Sequence, residues 1–242
     1  MVGINTRGVG TCGGSLINSR WVLTAAHCTG GIGTIVYLGD HDQFRDEGME
    51  VNIEVSETFR HPKFKAIEGN KCDQYDIALL KLKNDIDFMK HAHLRPVCLP
   101  KNTLEDYTGY VTTVTGWGKN STGKLKYLNG PVETKVQCSK IGCLGAGETR
   151  CAPPDILDTM LCIAYPVGGN LQGDSGSPLV TKHAWDDGVT PGQNYEQIGV
   201  TSWSDVGPET GYGGFTGYTR VTKLLGWIKD TIGTDHTNCP RK

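Results

Sequence analysis

The sequence predicts an all-β body closed by one C-terminal helix, and three observations predict it. Short runs rich in β-branched and aromatic residues recur along the chain, glycines punctuate them (33 in 242 residues), and helical spacing is confined to the tail. Arg20–Leu23 opens an apolar run, and Thr34–Leu38 is built on β-branched residues. Val51–Val55 alternates apolar and polar side chains, and Val111–Gly116 is again β-branched. Ser177–Val180, Ile198–Trp203 and Gly217–Val221 complete the set. That spacing fits an antiparallel barrel or sandwich, not alternating βαβ units. In Val221–Ile232 the residues Leu224, Leu225, Ile228 and Ile232 fall on one helical face. A slight composition shift at Lys101–Tyr107 marks a boundary between two halves near 101–110.

A chain of 242 residues can bury most of its unfolded surface without help from a cofactor, and none is required by this reading. Its net charge of -2 and lack of long charged runs leave no electrostatic footprint for nucleic acid. The longest apolar stretches, Trp21–Ala26 and Ile77–Leu80, are too short to span a bilayer, so no membrane role is expected. Met1-Val2-Gly3-Ile4 lacks the basic and apolar segments of a signal peptide. Nine cysteines without a Cys-x-x-Cys pair favour disulfides over zinc, and hence an oxidising, extracellular setting.

Three short motifs carry candidate chemistry. In Gly173-Asp174-Ser175-Gly176-Ser177-Pro178, flanking glycines allow a tight turn with the Ser175 hydroxyl exposed. The N–H groups of Gly173 and Ser175 would converge there on an oxyanion, each donor contributing about 3–4 kcal/mol. A hydroxyl is a poor nucleophile without a base. His27, in Thr24-Ala25-Ala26-His27-Cys28, supplies one candidate, and Asp76, heading Asp76-Ile77-Ala78-Leu79-Leu80, is a carboxylate suited to an imidazole N–H. Each motif alone also fits a glycine turn, a structural histidine or a strand-end acid. All three together, in the order His, Asp, Ser, point to nucleophilic catalysis.

These stretches, with Cys12-Gly13-Gly14-Ser15-Leu16-Ile17, Trp21–Cys28, Thr115-Gly116-Trp117-Gly118, Thr201-Ser202-Trp203 and Tyr218-Thr219-Arg220-Val221, resemble the chymotrypsin/trypsin-like serine protease family over nearly the whole chain. The resemblance implies one protease domain over residues 1–242, made of two antiparallel six-stranded β-barrels and a C-terminal helix. It implies a secreted endopeptidase acting on polypeptides by an acyl-enzyme, with His27 and Asp76 from the first barrel and Ser175 from the second. Ser202 is expected to hydrogen-bond Asp76, and the backbone from Ser202 to Ser204 to pair with substrate as an added strand. The substrate-binding set is Gly169, Gln172, Ser202, Trp203, Ser204 and Thr216. Gly169 takes the pocket-base position where trypsin-like members carry Asp, and Ser204 and Thr216 replace glycine walls. Cleavage after neutral, small or medium apolar residues is therefore expected. The alternative is a non-catalytic homologue acting as a binding or cascade cofactor protein, and Ser177, where glycine is usual, favours it.

The same resemblance pairs Cys12 with Cys28, and Cys162 with Cys151 or Cys143. It leaves Cys72, Cys138 and Cys239 unassigned. Cys98, in Arg95-Pro96-Val97-Cys98-Leu99-Pro100, resembles the cysteine that tethers a pro-segment, which would explain the odd count. Two family bridges are absent at both ends: Leu171 with the loop after Trp203, and Thr112 with Thr181. Family members begin with Ile-Val-Gly-Gly, well before the point matching Met1, and the new amino group pairs with the aspartate at Asp174. Lacking that segment, the chain is expected to be zymogen-like, with Asp174 in want of a partner. Asp40, Glu47 and Glu50 resemble the calcium loop of trypsin-like members, hard oxygen ligands suited to Ca²⁺, and fit a solvated acidic loop equally well. Asn120-Ser121-Thr122 is a glycosylation sequon.

Overall fold

The computed structural model describes residues 1–65, 74–101, 103–118, 122–138, 158–165, 173–182, 195–205 and 214–233. Six antiparallel strands close a first barrel: β1 (Val2–Arg7), β2 (Gly10–Leu16), β3 (Trp21–Thr24), β4 (Ile32–Leu38), β5 (Val51–Arg60) and β6 (Ala78–Leu82). Their order is β1-β2-β3-β6-β5-β4. A second six-stranded sheet holds β7 (Val111–Gly116), β8 (Lys126–Pro131), β9 (Met160–Tyr165), β10 (Pro178–Lys182), β11 (Tyr195–Asp205) and β12 (Gly214–Arg220). Here the order is β8-β7-β10-β11-β12-β9. Its outer strands curl toward one another. Glu133, just past β8, donates its N–H to Cys162 O of β9 at 3.0 Å, and a Cβ on Gly130 would lie 2.6 Å from the Ile163 side chain.

Every run expected from sequence overlaps an observed strand. Among the strands outside the expected runs, β2 and β9 lack a clean alternation. β2 carries Gly13 and Gly14 where the barrel wall is tight, a Cβ on Gly14 lying 2.8 Å from Ile4 Cδ1. β9 is buried along its whole length, so it shows no period of two. β5 runs past Val55 because a bulge between Val55 and Glu57 shifts its register on β6, and Ser56 Oγ donates to Lys81 O at 3.1 Å there.

The tail forms a 3₁₀ turn at Val221–Lys223 and then α1 (Leu225–Ile232), which ends at Gly233 with φ of 61°. Leu225, Ile228 and Ile232 of α1 belong to the core of the first barrel, beside Val22, Leu80 and Val36. Burying each such side chain contributes about 1.5–3 kcal/mol, so the last element of the chain straps its second half to its first. The halves also meet at buried polar contacts: Ser15 Oγ donates to Gln197 Oε1, and Gln197 N–H donates to Cys98 O at 2.9 Å.

The Cys12–Cys28 disulfide joins β2 to the 3₁₀ turn Ala26–Cys28, as expected. Cys162 differs from expectation. It bonds Cys138, not Cys143 or Cys151, because the Glu133–Cys162 hydrogen bond lays residues 133–138 along β9 and leaves the two Cα atoms 6.0 Å apart. Cys98 is corrected as well. It is itself disulfide-bonded, so it keeps no thiol for a pro-segment and does not account for the odd count. Thr112 and Thr181 do face each other across β7 and β10. In place of a bridge, Thr112 Oγ1 donates to Gly130 O (2.7 Å) and Thr181 Oγ1 to Val111 O (3.0 Å). Leu171, Cys72, Cys143, Cys151, Cys239 and the Asn120-Ser121 part of the sequon lie outside the described residues.

Candidate active site

His27 sits in the 3₁₀ turn that follows β3, and Asp76 sits in the turn that leads into β6. β3 and β6 pair directly, Thr24 with Ala78, so the two side chains leave neighbouring strands at the same end of the barrel. Asp76 is fully buried. Its Oδ2 accepts His27 Nδ1–H at 2.7 Å and the Ser202 hydroxyl at 2.7 Å, while Oδ1 accepts the His27 backbone N–H at 2.9 Å. A buried carboxylate is expensive unless hydrogen-bonded, and three donors meet that need. With Nδ1–H committed to Asp76, Nε2 is left as the basic nitrogen, and the imidazole stays about one-third exposed. Thr219 Oγ1 adds a bond to the Asp76 carbonyl at 2.8 Å. Thr219 lies in a motif read only for its resemblance, and its role depends on β12 passing behind Asp76.

Ser175 occupies a turn with Gly173 at φ 100° and Gly176 at φ 81°, a region that disfavours side chains. A Cβ on Gly176 would collide with Gly13 O and Thr24 Oγ1. The turn is clamped from both halves: Gly13 N–H donates to Ser175 O (2.7 Å), Gly176 N–H to Thr201 O (2.8 Å) and Ser177 N–H to Asp174 O (3.0 Å). Thr24 Oγ1 holds Gly13 O in place at 2.8 Å. Ser177 is fully buried against Gly13, and its hydroxyl has no hydrogen-bond partner among the described residues. Asp174, expected to lack a partner, accepts the Gly118 N–H at 2.7 Å, and Gly116 is glycine because a Cβ there would strike the same carboxylate.

His27 and Ser175 line one cleft of about 460 Å³ together with Gly173, Trp117, Gln43 and Thr11. The donor atoms of Cys12, His27 and Cys28 gather within 4.8 Å, but both sulfurs are spent in the disulfide and cannot hold a metal. Beside the turn, Ser204 of β11 faces Thr216 of β12, and Thr216 is completely buried with an unpartnered Oγ1. Trp203 packs over Gly217 and stands 5.4 Å from the Phe215 ring. Gly169 and Gln172 lie outside the described residues.

The acidic loop is more defined than its sequence shows. Glu50 Oε1 and Oε2 accept the N–H groups of Glu47 (2.6 Å) and Met49 (2.9 Å), which hold its carboxyl below the usual range. Asp40 Oδ1 is buried without a hydrogen-bond partner among the described residues. Burial first, then the charges of Glu50, Glu47 and Asp42, push the Asp40 carboxyl upward. Among the described residues the ligand atoms of Asp40, Glu47 and Glu50 do not gather within 4.8 Å of one another, and both Glu50 carboxylate oxygens already accept backbone N–H groups.

Among the described residues no helix is long and apolar enough to cross a membrane. The family model described as Trypsin matches residues 1–228. The chain is 33% identical to trypsin II-P29 of Gallus gallus, over 91% of this chain and 79% of that protein. It is 32% identical to phenoloxidase-activating factor 1 of Holotrichia diomphalia, over 91% of this chain and 61% of the relative. Kallikrein-11 of Homo sapiens is likewise 32% identical, over 91% and 71%. With an imidazole–carboxylate pair beside a glycine-bounded serine turn, and a family match running from its first residue into its last helix, the chain belongs to the trypsin family of serine proteases.

Proposed function

We propose that this chain is an extracellular serine endopeptidase in which Ser175 is the nucleophile, His27 the general base and Asp76 the group that orients the imidazole. The observation that carries the reading is the Asp76 carboxylate, which takes His27 Nδ1–H and thereby presents Nε2 in the cleft shared with Ser175. Ser175 Oγ attacks the substrate carbonyl as His27 takes its proton. The N–H groups of Gly173 and Ser175 stabilise the oxyanion. His27 then protonates the leaving amine, and water hydrolyses the acyl-enzyme by the reverse proton route.

Substrate lies along β11 from Ser202 to Ser204, with its side chain directed to a slot shaped by Ser204 and Thr216. The pairing of Ser204 with Thr216, neither of them charged, supports a narrowed, uncharged slot, and therefore neutral small or medium apolar residues before the cleaved bond. Calcium in the loop of Asp40, Glu47 and Glu50 is part of the same reading, as a structural ion only. The disulfides support secretion.

The test uses the full-length, activated protein: phenylmethanesulfonyl fluoride labelling mapped to Ser175, and turnover of peptides ending in Ala, Val, Arg or Lys before the reporter. Absence of both labelling and turnover would leave the non-catalytic homologue, a reading that the orphaned Ser177 hydroxyl beside the nucleophile turn favours. Fast cleavage after Arg would overturn the neutral slot.

A further inference from the structure

Arg60 at the end of β5 grips Thr29, the residue that follows the 3₁₀ turn of His27, and is not among the residues that line the cleft. Its Nε donates to Thr29 Oγ1 at 2.6 Å, and its Nη2 donates to Thr29 O. Thr29 passes the grip on, with Oγ1 donating to Ala26 O at 2.7 Å and its N–H to the same carbonyl at 3.1 Å. Ala26 and Thr29 bracket His27, so the Arg60 fork closes the turn that carries the imidazole. Gly30, at φ 107°, is glycine because a Cβ would occupy the space of the guanidinium.

The next residue does the same for the carboxylate. His61 donates its N–H to Ile77 O at 3.0 Å, directly after Asp76. Its ring stacks on Tyr75, directly before Asp76, with centroids 4.9 Å apart and planes 11° apart. Trp227 of α1 closes the other side of the ring at 5.0 Å, and Lys63 N–H donates to His61 Nδ1 at 3.2 Å. Tyr75 has φ of 53°, a conformation a bulky residue holds only when its surroundings over-determine it. Arg60 is itself anchored by pairing with Ala78 at the start of β6.

We propose that Arg60 and His61 are positioning residues for the His27–Asp76 pair: two consecutive residues at the end of β5 hold the backbone on both sides of the imidazole and the carboxylate, and so set the 2.7 Å hydrogen bond between them. Neither touches the cleft. Arg60 acts through Thr29 and Ala26, and His61 acts through Tyr75 and Ile77. This inference rests on the catalytic assignment proposed above. Misplacement of a catalytic group by even 1 Å costs up to about 10²-fold in rate.

The experiment follows the rate of Ser175 sulfonylation by phenylmethanesulfonyl fluoride against pH, in the full-length activated protein, below the unfolding transition of every variant. The pH midpoint reads the basicity of His27, which a general loss of stability does not move. Arg60→Met, which keeps the aliphatic stem, should slow sulfonylation about tenfold or more and lower the midpoint, with Arg60→Lys recovering part of the loss. His61→Ala should do the same, and His61→Phe, which keeps a ring between Tyr75 and Trp227, should restore the wild-type rate. Rates for Arg60→Met and His61→Ala both within about twofold of wild type at an unchanged midpoint would overturn the inference. A loss confined to one of the two overturns the shared brace. Wild type that is never sulfonylated at Ser175 overturns the catalytic assignment itself, a result distinct from the others.

Discussion

Ser202 Oγ donates to Asp76 Oδ2 at 2.7 Å, so a hydroxyl from β11 in the second sheet helps hold a carboxylate that belongs to the first barrel. Thr219 of β12 bonds the carbonyl of the same residue. The site is therefore assembled only when both halves are docked, and each half contributes to the position of the buried charge.

Ser202→Ala removes one of three donors to Asp76. A hydrogen bond to a charged group contributes about 1.5–3 kcal/mol, so thermal or denaturant unfolding should register a loss of that order. Activity toward a neutral peptide should fall as well, through kcat more than KM, because the Ser202 hydroxyl is spent on Asp76. An unfolding free energy equal to wild type would show that the hydroxyl is not holding the carboxylate.

Ser177→Ala should be neutral or stabilising, by up to about 1 kcal/mol. The wild-type hydroxyl is buried with no hydrogen-bond partner, and removing an unsatisfied polar group recovers its desolvation cost. Differential scanning calorimetry decides it. A clear fall in melting temperature would mean that the hydroxyl has a partner in solution.

His61 is buried between Tyr75 and Trp227, and burial, followed by the Lys63 charge, holds its imidazole below the ordinary value of about 6.5. The native state thus resists protonation that the unfolded chain accepts. The stability from neutral His61 is fully present above about pH 6.5 and is lost as pH falls from there through the lower native value. His61→Phe should flatten that part of the melting-temperature profile. If the variant loses stability between pH 7 and pH 5 as steeply as wild type, His61 is not the responsible group.

If calcium occupies the proposed loop site, it should raise the melting temperature in proportion to the logarithm of its concentration, since such a site exists only in the folded state. Asp40 is the proposed ligand whose Oδ1 has no hydrogen-bond partner among the described residues, so Asp40→Asn should abolish most of that rise while leaving the calcium-free melting temperature near wild type or above it. An equal calcium response in both proteins would remove Asp40 from the site.

Much of this protein was legible along the chain. The residues His27, Asp76 and Ser175 each sit in a short motif whose chemistry is local: glycines that permit a tight turn, an acid at the mouth of an apolar strand, a histidine after one. Strands such as β7 were readable for the same reason, since β-branched side chains favour extended backbone wherever they are placed. The fully buried β9 and the glycine-bearing β2 were not, because their sequences record packing on both faces and close backbone approach, not periodicity.

What the sequence by itself determined is thus the inventory of reactive groups and the strands that deliver them. Tertiary structure decided who meets whom across long separations. It brought Cys138 to Cys162 and Gly118 to Asp174, laid α1 on the core of the first barrel, and set Arg60 on Thr29, just past the His27 turn. Each of these is a contact between surfaces that exist only after the strands have paired. No local propensity encodes such a contact, because its free energy comes from burial and hydrogen bonds that the extended chain does not possess.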